Sequence, residues 1–365
     1  MRILVTGANG FVAKNLIAHL EAKGITNYLR YTRKDSLDTL RKYIHSSDLV
    51  YHLAATNRAE DESAFVDDNV ELSSFIAEEI KVSTHPIKLI VSSSIQAEQN
   101  NIYGQSKLRM EEIFHSALAD TEHTLVIYRL KNIFGKWCKP HYNSVVSTFC
   151  YNILNNHPIS VNDPTTTLNL IYIDDLVKNF LQHIEIPLDE SGLNDIHFYT
   201  LTLGDLAGIL QNFQTNPVLG GVGEGLTRSL YATYLSFKQP DQFSYYLESH
   251  EDERGAFVEM LKTETSGQFS YFTAKPGITR GGHYHHTKSE KFLVLSGKAE
   301  FKFRHINENT THSLITNGNS PQVVETIPGW AHDISNIGSS DLIVILWANE
   351  IFQPDNPDTF PARLI

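Results

Sequence analysis

Tyr103 and Lys107 stand four residues apart, shortly after a β-rich run that ends in Ser92, Ser93 and Ser94. Positions i and i+4 of a helix share a face, so the ammonium would lie near the phenol. A neighbouring positive charge lowers a phenol pKa, which would let Tyr103 act as an acid or base near neutrality. A hydroxyl at the carboxyl end of a strand, here Ser94, sits where open α/β sheets bind their ligands. A second set lies far along the chain: His283, His285, Glu290 and His332. Two histidines two apart on a strand project from one face, and the other two residues would join from neighbouring strands. Three imidazoles and one carboxylate suit a divalent first-row metal ion with one position left open, and zinc is the ion expected. His286 points the opposite way by alternation and is not expected to ligate.

These side chains need elements to hold them. The chain opens on Ile3-Leu4-Val5-Thr6-Gly7-Ala8-Asn9-Gly10-Phe11-Val12-Ala13, an apolar strand running into a glycine turn and then a helix. Gly7 permits the tight turn, and Gly10 lets backbone N–H groups approach a pyrophosphate at the positive end of the helix, beside Asn9, Phe11 and Val12. An acidic residue that grips an NAD ribose belongs about 20 residues further on; here that position holds Arg33 and Lys34. Two cations favour a 2′-phosphate, so NADPH is the expected cofactor. Further β-rich runs at Asn27–Thr32, Leu49–Leu53, Ile87–Ser92 and Thr124–Tyr128 alternate with helix-period segments such as Phe11–Lys23 and Leu72–Val82. That alternation predicts an α/β, Rossmann-type doubly wound parallel sheet. From about Phe243 short strand-like runs follow one another at close spacing, the pattern of an all-β sandwich or barrel. The expected division is therefore 1–242 and 243–365.

The 365 residues carry 30 Lys+Arg against 42 Asp+Glu, a formal net charge of −12. So acidic a chain is a poor partner for nucleic acid or an anionic membrane. Two cysteines, Cys138 and Cys150, cannot build a disulfide framework and fit a reducing compartment. No apolar run approaches the roughly 18 residues that cross a bilayer, and the strand-like start leaves no room for a signal peptide. A cytoplasmic enzyme acting on a small molecule is expected.

Several segments carry resemblances to known families. Thr6-Gly-Ala-Asn-Gly-Phe11, the strand Asp48-Leu-Val-Tyr-His-Leu-Ala-Ala55, the serine triplet, Tyr103-x-x-x-Lys107 and Tyr172-Ile-Asp-Asp-Leu176 resemble the extended short-chain dehydrogenase/reductases that act on nucleotide sugars. The resemblance gives Ser94, Tyr103 and Lys107 catalytic roles, adds Leu53, Ala54 and Ala55 to the cofactor contacts, and makes Asn132, Tyr142 and Asn143 contacts of the sugar nucleotide. The Asp-Glu pair of the sugar 4,6-dehydratases is missing, since Ser94 is followed by Ile95-Gln96-Ala97. Reduction and 4-epimerisation remain open.

The histidine set, with Gly277, Gly297 and Pro328-Gly-Trp-Ala-His332, is similar to the two signature blocks of the cupin (jelly-roll) barrels. Asp252-Glu-Arg-Gly-Ala-Phe257 and Ile278-Thr-Arg-Gly-Gly-His-Tyr284 also resemble the dTDP-4-dehydrorhamnose 3,5-epimerases, which places Arg280 at the substrate. In that comparison His283 matches a general base; coordination would take the same lone pair, and the ligand role is preferred because the other three residues complete a set. A reductase followed by a metal-type cupin resembles the bifunctional enzymes of capsular polysaccharide synthesis. That likeness implies a homodimer and a UDP-linked 4-keto-6-deoxy-N-acetylhexosamine as substrate. The cupin would epimerise C3, and NADPH would then reduce C4 to give UDP-2-acetamido-2,6-dideoxy-L-talose, towards UDP-N-acetyl-L-fucosamine. The alternatives are a single-function NADPH reductase whose cupin is structural or dimerising, and a nucleotide-sugar 4-epimerase that keeps its cofactor.

Overall fold

The computed structural model describes residues 1–56, 67–185, 196–215, 222–247, 249–252, 255–258, 267–350 and 354–364. They form two compact units, Met1–Ser144 with Leu168–Thr200, and Val145–Thr167 with Leu201–Ile365.

In the first unit, strands β1 (Ile3–Thr6), β2 (Tyr28–Tyr31), β3 (Leu49–His52), β4 (Lys88–Ser94) and β5 (Thr124–Leu130) make one sheet in the order β2-β1-β3-β4-β5. Every pairing is parallel. Parallel strands need crossovers, and helices α1 (Phe11–Ala22), α2 (Leu37–Ile44), α3 (Leu72–Lys81) and α4 (Ile102–Leu118) supply them. On one face Leu4, Val50, Leu89 and Val91 bury against Leu40, Ile76, Ile80, Met110 and Phe114, each such side chain contributing roughly 1.5–3 kcal/mol. On the other face Tyr51 and Tyr128 pack on Phe180. The strand order reverses beside β1, so the crevice beyond the carboxyl ends of β1 and β3 is the place such a sheet binds ligands.

The second unit joins helices Val145–Leu154, Leu203–Thr215 and Gly225–Leu235 to the β-rich part of the chain. Beyond β5 along the chain, β6 (Asn132–Phe134), β7 (Thr167–Tyr172) and β8 (Tyr199–Thr202) form a three-stranded sheet, and β10 (Ser249–Asp252) and β11 (Gly255–Val258) form a hairpin. The main strands of the second unit are β9 (Ser244–Tyr246), β12 (Gln268–Ala274), β13 (Thr279–Tyr284), β14 (Glu290–Ser296), β15 (Lys298–His305), β16 (Thr311–Asn317), β17 (Gln322–Glu325), β18 (Trp330–Asn336), β19 (Leu342–Ala348) and β20 (Phe360–Pro361). They pair antiparallel in two five-stranded sheets, β12-β19-β14-β17-β9 and β16-β15-β18-β13-β20. This double sheet is the cupin-type, jelly-roll arrangement; among the described residues no ladder closes the two sheets into one barrel. The helices group with these sheets, so the units as packed do not divide at 242. Glu253 and Arg254 of the Asp252–Phe257 segment lie outside the described residues.

Candidate active site and metal cluster

The glycine turn is built as a cradle. Gly7 has φ +65°, and a Cβ there would stand 2.7 Å from the Cα of Ala54. Only glycine therefore lets β1 and the Leu53-Ala54-Ala55 end of β3 approach this closely. Helix α1 is preceded by Gly10 at its N-cap, has no side-chain cap and carries no acidic residue in its first turn, which leaves its N–H groups and its positive end to an anion. Asn9 is exposed beside it.

Beneath the cradle runs a hydrogen-bond network that the sequence alone did not disclose. Thr6 Oγ1 accepts from the Leu53 and Ala54 N–H groups, both at 3.2 Å, and lies 2.9 Å from His52 Nδ1. His52 Nε2 is 3.1 Å from Ser73 Oγ, whose hydroxyl donates to the Asn69 carbonyl at 2.6 Å. Because that hydroxyl is already committed, His52 must donate through Nε2 and accept at Nδ1. Burial, aided by the Lys107 charge, pushes the His52 pKa down to about 3, so the ring stays neutral. The Asn69 side chain bonds both Thr56 N–H and Thr56 C=O and reaches Ser106 Oγ at 3.1 Å. Ser106 lies on α4, so the ends of β1 and β3 and helix α4 are tied through buried groups. Nothing local in the sequence marks Asn69.

Ser94 ends β4 and is nearly buried, while Tyr103 stands in the first turn of α4, hydrogen-bonded to it. Burial pushes the phenol pKa up, the Ser94 bond draws it back, and neighbouring Tyr142 raises it again. The Ser94 hydrogen bond is thus a local influence that lowers the phenol pKa. The Lys107 ammonium turns into the sheet and donates to Ser92 O at 3.2 Å. Burial lowers its pKa to about 8, against a raising effect of Glu111. Glu111 itself is gripped by Arg129, with Nη2 to Oε2 at 2.7 Å, and bonded by Ser93.

Gly104 follows Tyr103 for a steric reason. A Cβ there would lie 2.1 Å from Gln96 O and 2.7 Å from Gln99 O. Gly104→Ala must push α4 off the 95–98 turn, at a cost of about 1–3 kcal/mol. A shift of that size misplaces Tyr103, and turnover should fall about 10²-fold. Normal kcat in this variant would show that the helix need not pack so closely.

Of the remaining expected contacts, Arg33 and Lys34 are exposed, and Arg33 Nη2 donates to Thr56 Oγ1 at 2.7 Å. Asn132 and Asn143 are exposed, and Tyr142 lies under the Lys139 ammonium as well as near Tyr103. Arg280 is exposed, over the Phe272 ring and donating to Thr273 O at 3.3 Å.

In the second unit His283, His285, Glu290 and His332 come together, with one donor atom of each within 4.8 Å of all the others. His283 and His332 are direct partners across β13 and β18, while Glu290 is the first residue of β14 in the facing sheet. A bulge at Gly281 sets this register: with φ +116°, its missing Cβ would sit 2.5 Å from His332 O. Glu290 Oε2 is 3.1 Å from His285 Nε2 and 3.5 Å from His332 Nε2, and Oε1 is 3.2 Å from Lys288 Nζ. Burial would raise the Glu290 pKa, but His285 and His332 hold it well below the usual carboxylate range. Burial pushes His283 down to about 4, aided by the other two histidines. His285 Nδ1 lies 2.5 Å from the Asp358 carbonyl, which can only accept. Its Nε2 lone pair then faces a carboxylate oxygen, and a cation between the two satisfies both. The donor set thus fits a divalent ion. His286 lies against Tyr284 and Phe360 instead.

A glycine turn that opens an uncapped helix at the switch point of a parallel sheet, with Tyr103 hydrogen-bonded to Ser94 at the carboxyl end of β4, is the arrangement of a nicotinamide-dependent class. Residues 3–192 match the NAD dependent epimerase/dehydratase family, and the chain belongs to it. Residues 250–360 match the polysaccharide biosynthesis C-terminal domain. The chain is 47% identical over 368 residues to the UDP-2-acetamido-2,6-beta-L-arabino-hexul-4-ose reductase of Pseudomonas aeruginosa, covering 100% of this chain and 99% of that protein. It is similar to the capsular polysaccharide assembling protein CapF of Staphylococcus aureus, at 39% identity and a TM-score of 0.67 over 100% of both chains. The UDP-glucuronic acid 4-epimerase of Bacillus cereus, solved with NAD, is 20% identical over 59% of this chain and 84% of its own, with a TM-score of 0.50, and shares the fold. Among the described residues no helix is long and apolar enough to cross a membrane.

Proposed function

We propose that the chain reduces the C4 ketone of a UDP-linked 4-keto-6-deoxy-N-acetylhexosamine with NADPH, after its cupin part has epimerised C3, giving UDP-2-acetamido-2,6-dideoxy-L-talose for capsule synthesis. The observation that carries the reductive half is the Ser94–Tyr103 hydrogen bond at the carboxyl end of β4, with Lys107 buried one turn beyond. The Pseudomonas relative is named for reduction of a hexul-4-ose, which supports a ketone at that carbon. NADPH, when bound, supplies the hydride. Ser94 donates to the carbonyl oxygen, and Tyr103 delivers its proton to that oxygen as negative charge develops. Lys107, cationic below about pH 8, stabilises the phenolate left behind.

In the cupin part, His283, His285, Glu290 and His332 would hold a divalent ion, zinc foremost, whose contribution there is positive charge for the oxygen of a C4 enolate. A ketone at C4 acidifies the C3 proton, so exchange there needs only a base and that charge.

The test is stoichiometry. Purified protein given the UDP-4-keto sugar should consume one NADPH per alcohol formed. Failure to reduce the ketone with NADPH, together with inversion at C4 of a UDP-sugar bearing a C4 hydroxyl when no cofactor is added, would mark a 4-epimerase that keeps its cofactor. Cofactor choice is checked in the same assay. A charge-assisted contact to a 2′-phosphate contributes about 1.5–3 kcal/mol, so NADPH should be preferred over NADH by more than about tenfold, and Arg33→Ala with Lys34→Ala should erase that preference. Equal use of both cofactors by the parent protein would remove this role for the basic turn.

A further inference from the structure

The end of the chain reaches the metal cluster. Strand β20 lies along β13, pairing Pro361 with His283 and Phe360 with Tyr284. Asp358 stands just before it, 73 residues after His285. Its carboxylate closes the turn that links β13 to β14. Oδ1 accepts from the His286 N–H at 2.9 Å, and Oδ2 accepts from the Thr287 N–H at 2.7 Å, Thr287 Oγ1 at 2.8 Å and the Lys288 N–H at 2.7 Å. Arg228 supports the same point, with Nη2 3.7 Å from Asp358 Oδ2 and 2.7 Å from Glu350 Oε2.

This arrangement acts on the cluster in two ways. Four bonds to one ionised carboxylate fix the turn that sets the span from His285 to Glu290. The Asp358 backbone carbonyl then accepts a hydrogen bond from His285 Nδ1–H, which settles the tautomer and aims Nε2 at Glu290 Oε2. We infer that Asp358 is the positioning residue of the four-residue cluster, so that the C-terminal segment belongs to the site although neither signature block contains it. This rests on the reading of His283, His285, Glu290 and His332 as ligands of a divalent ion.

Full-length protein stripped with a chelator should be titrated with Zn²⁺ by calorimetry and with Co²⁺ by visible absorption. The parent protein should take one ion per chain. Asp358→Ala should bind about 10–100-fold more weakly, as losses of outer-shell partners typically do, and its Co²⁺ bands should shift. Both variants keep the backbone carbonyl, and Asp358→Asn keeps one side-chain acceptor oxygen as well; it should fall between the parent and Asp358→Ala and guards against a variant that fails to fold. Ketone reduction should be unchanged in both. Unaltered affinity and Co²⁺ spectrum, with only the melting temperature lowered, would make Asp358 a structural tie and overturn the inference while leaving the metal site standing. A parent protein that takes no ion would overturn both.

Discussion

Tyr103→Phe should lower the rate of ketone reduction by about 10²-fold or more, the usual cost of losing a general acid. The fold should survive. The variant loses one side-chain hydrogen bond, to Ser94, a net change of about 1 kcal/mol. Deuterium wash-in at C3 should continue at the parental rate, because that chemistry is assigned to the cluster in the other unit. NADPH oxidation, NMR of the sugar and a melting curve on one preparation check all three. Near-normal turnover would end the role of Tyr103 as the acid. Loss of C3 exchange in a folded variant would show that the two steps share one site.

Chelation, or His285→Ala, should have the reciprocal effect. C3 exchange should fall by about 10²-fold or more, since positive charge on an enolate oxygen contributes several kcal/mol. Reduction of a ketone already in the correct C3 configuration should be spared. The melting temperature of the second unit should drop, because metal binding free energy also contributes to folding. Retained exchange after complete metal removal would move C3 chemistry away from the ion.

The elements that hold these sites were largely legible from patterns local to the chain. The runs expected at Asn27–Thr32 and Thr124–Tyr128 became Tyr28–Tyr31 and Thr124–Leu130, and the helix expected at Phe11–Lys23 ends at Ala22. Buried parallel strands announce themselves by apolar β-branched runs, and glycine marks their exits. The four members of the histidine cluster were readable as a group from their residue types and spacing, although β13 ends at Tyr284 and His285 stands just past the strand rather than on it. What stayed hidden depends on contacts between distant residues. Helices Leu203–Thr215 and Gly225–Leu235 lie before the expected boundary at 242 yet group with the strands after it, since amphipathic periodicity says which face is buried and not against which core. Asn69 joins Thr56 to Ser106, and Asp358 reaches back to Thr287, with no motif to signal either. The spacing of Tyr103 and Lys107 placed both on one helix face, but could not show that the ammonium turns towards Ser92 O.

The most direct test of the two-step account is NMR of a UDP-4-keto-6-deoxy-N-acetylhexosamine incubated with the protein in D₂O, first without NADPH and then with it. The account predicts deuterium at C3 in the first spectrum, with the ketone intact, and a C4 alcohol of inverted C3 configuration in the second. A C4 alcohol that keeps its original C3 configuration and its C3 proton would contradict it, leaving a reductase whose cupin does no chemistry on the sugar.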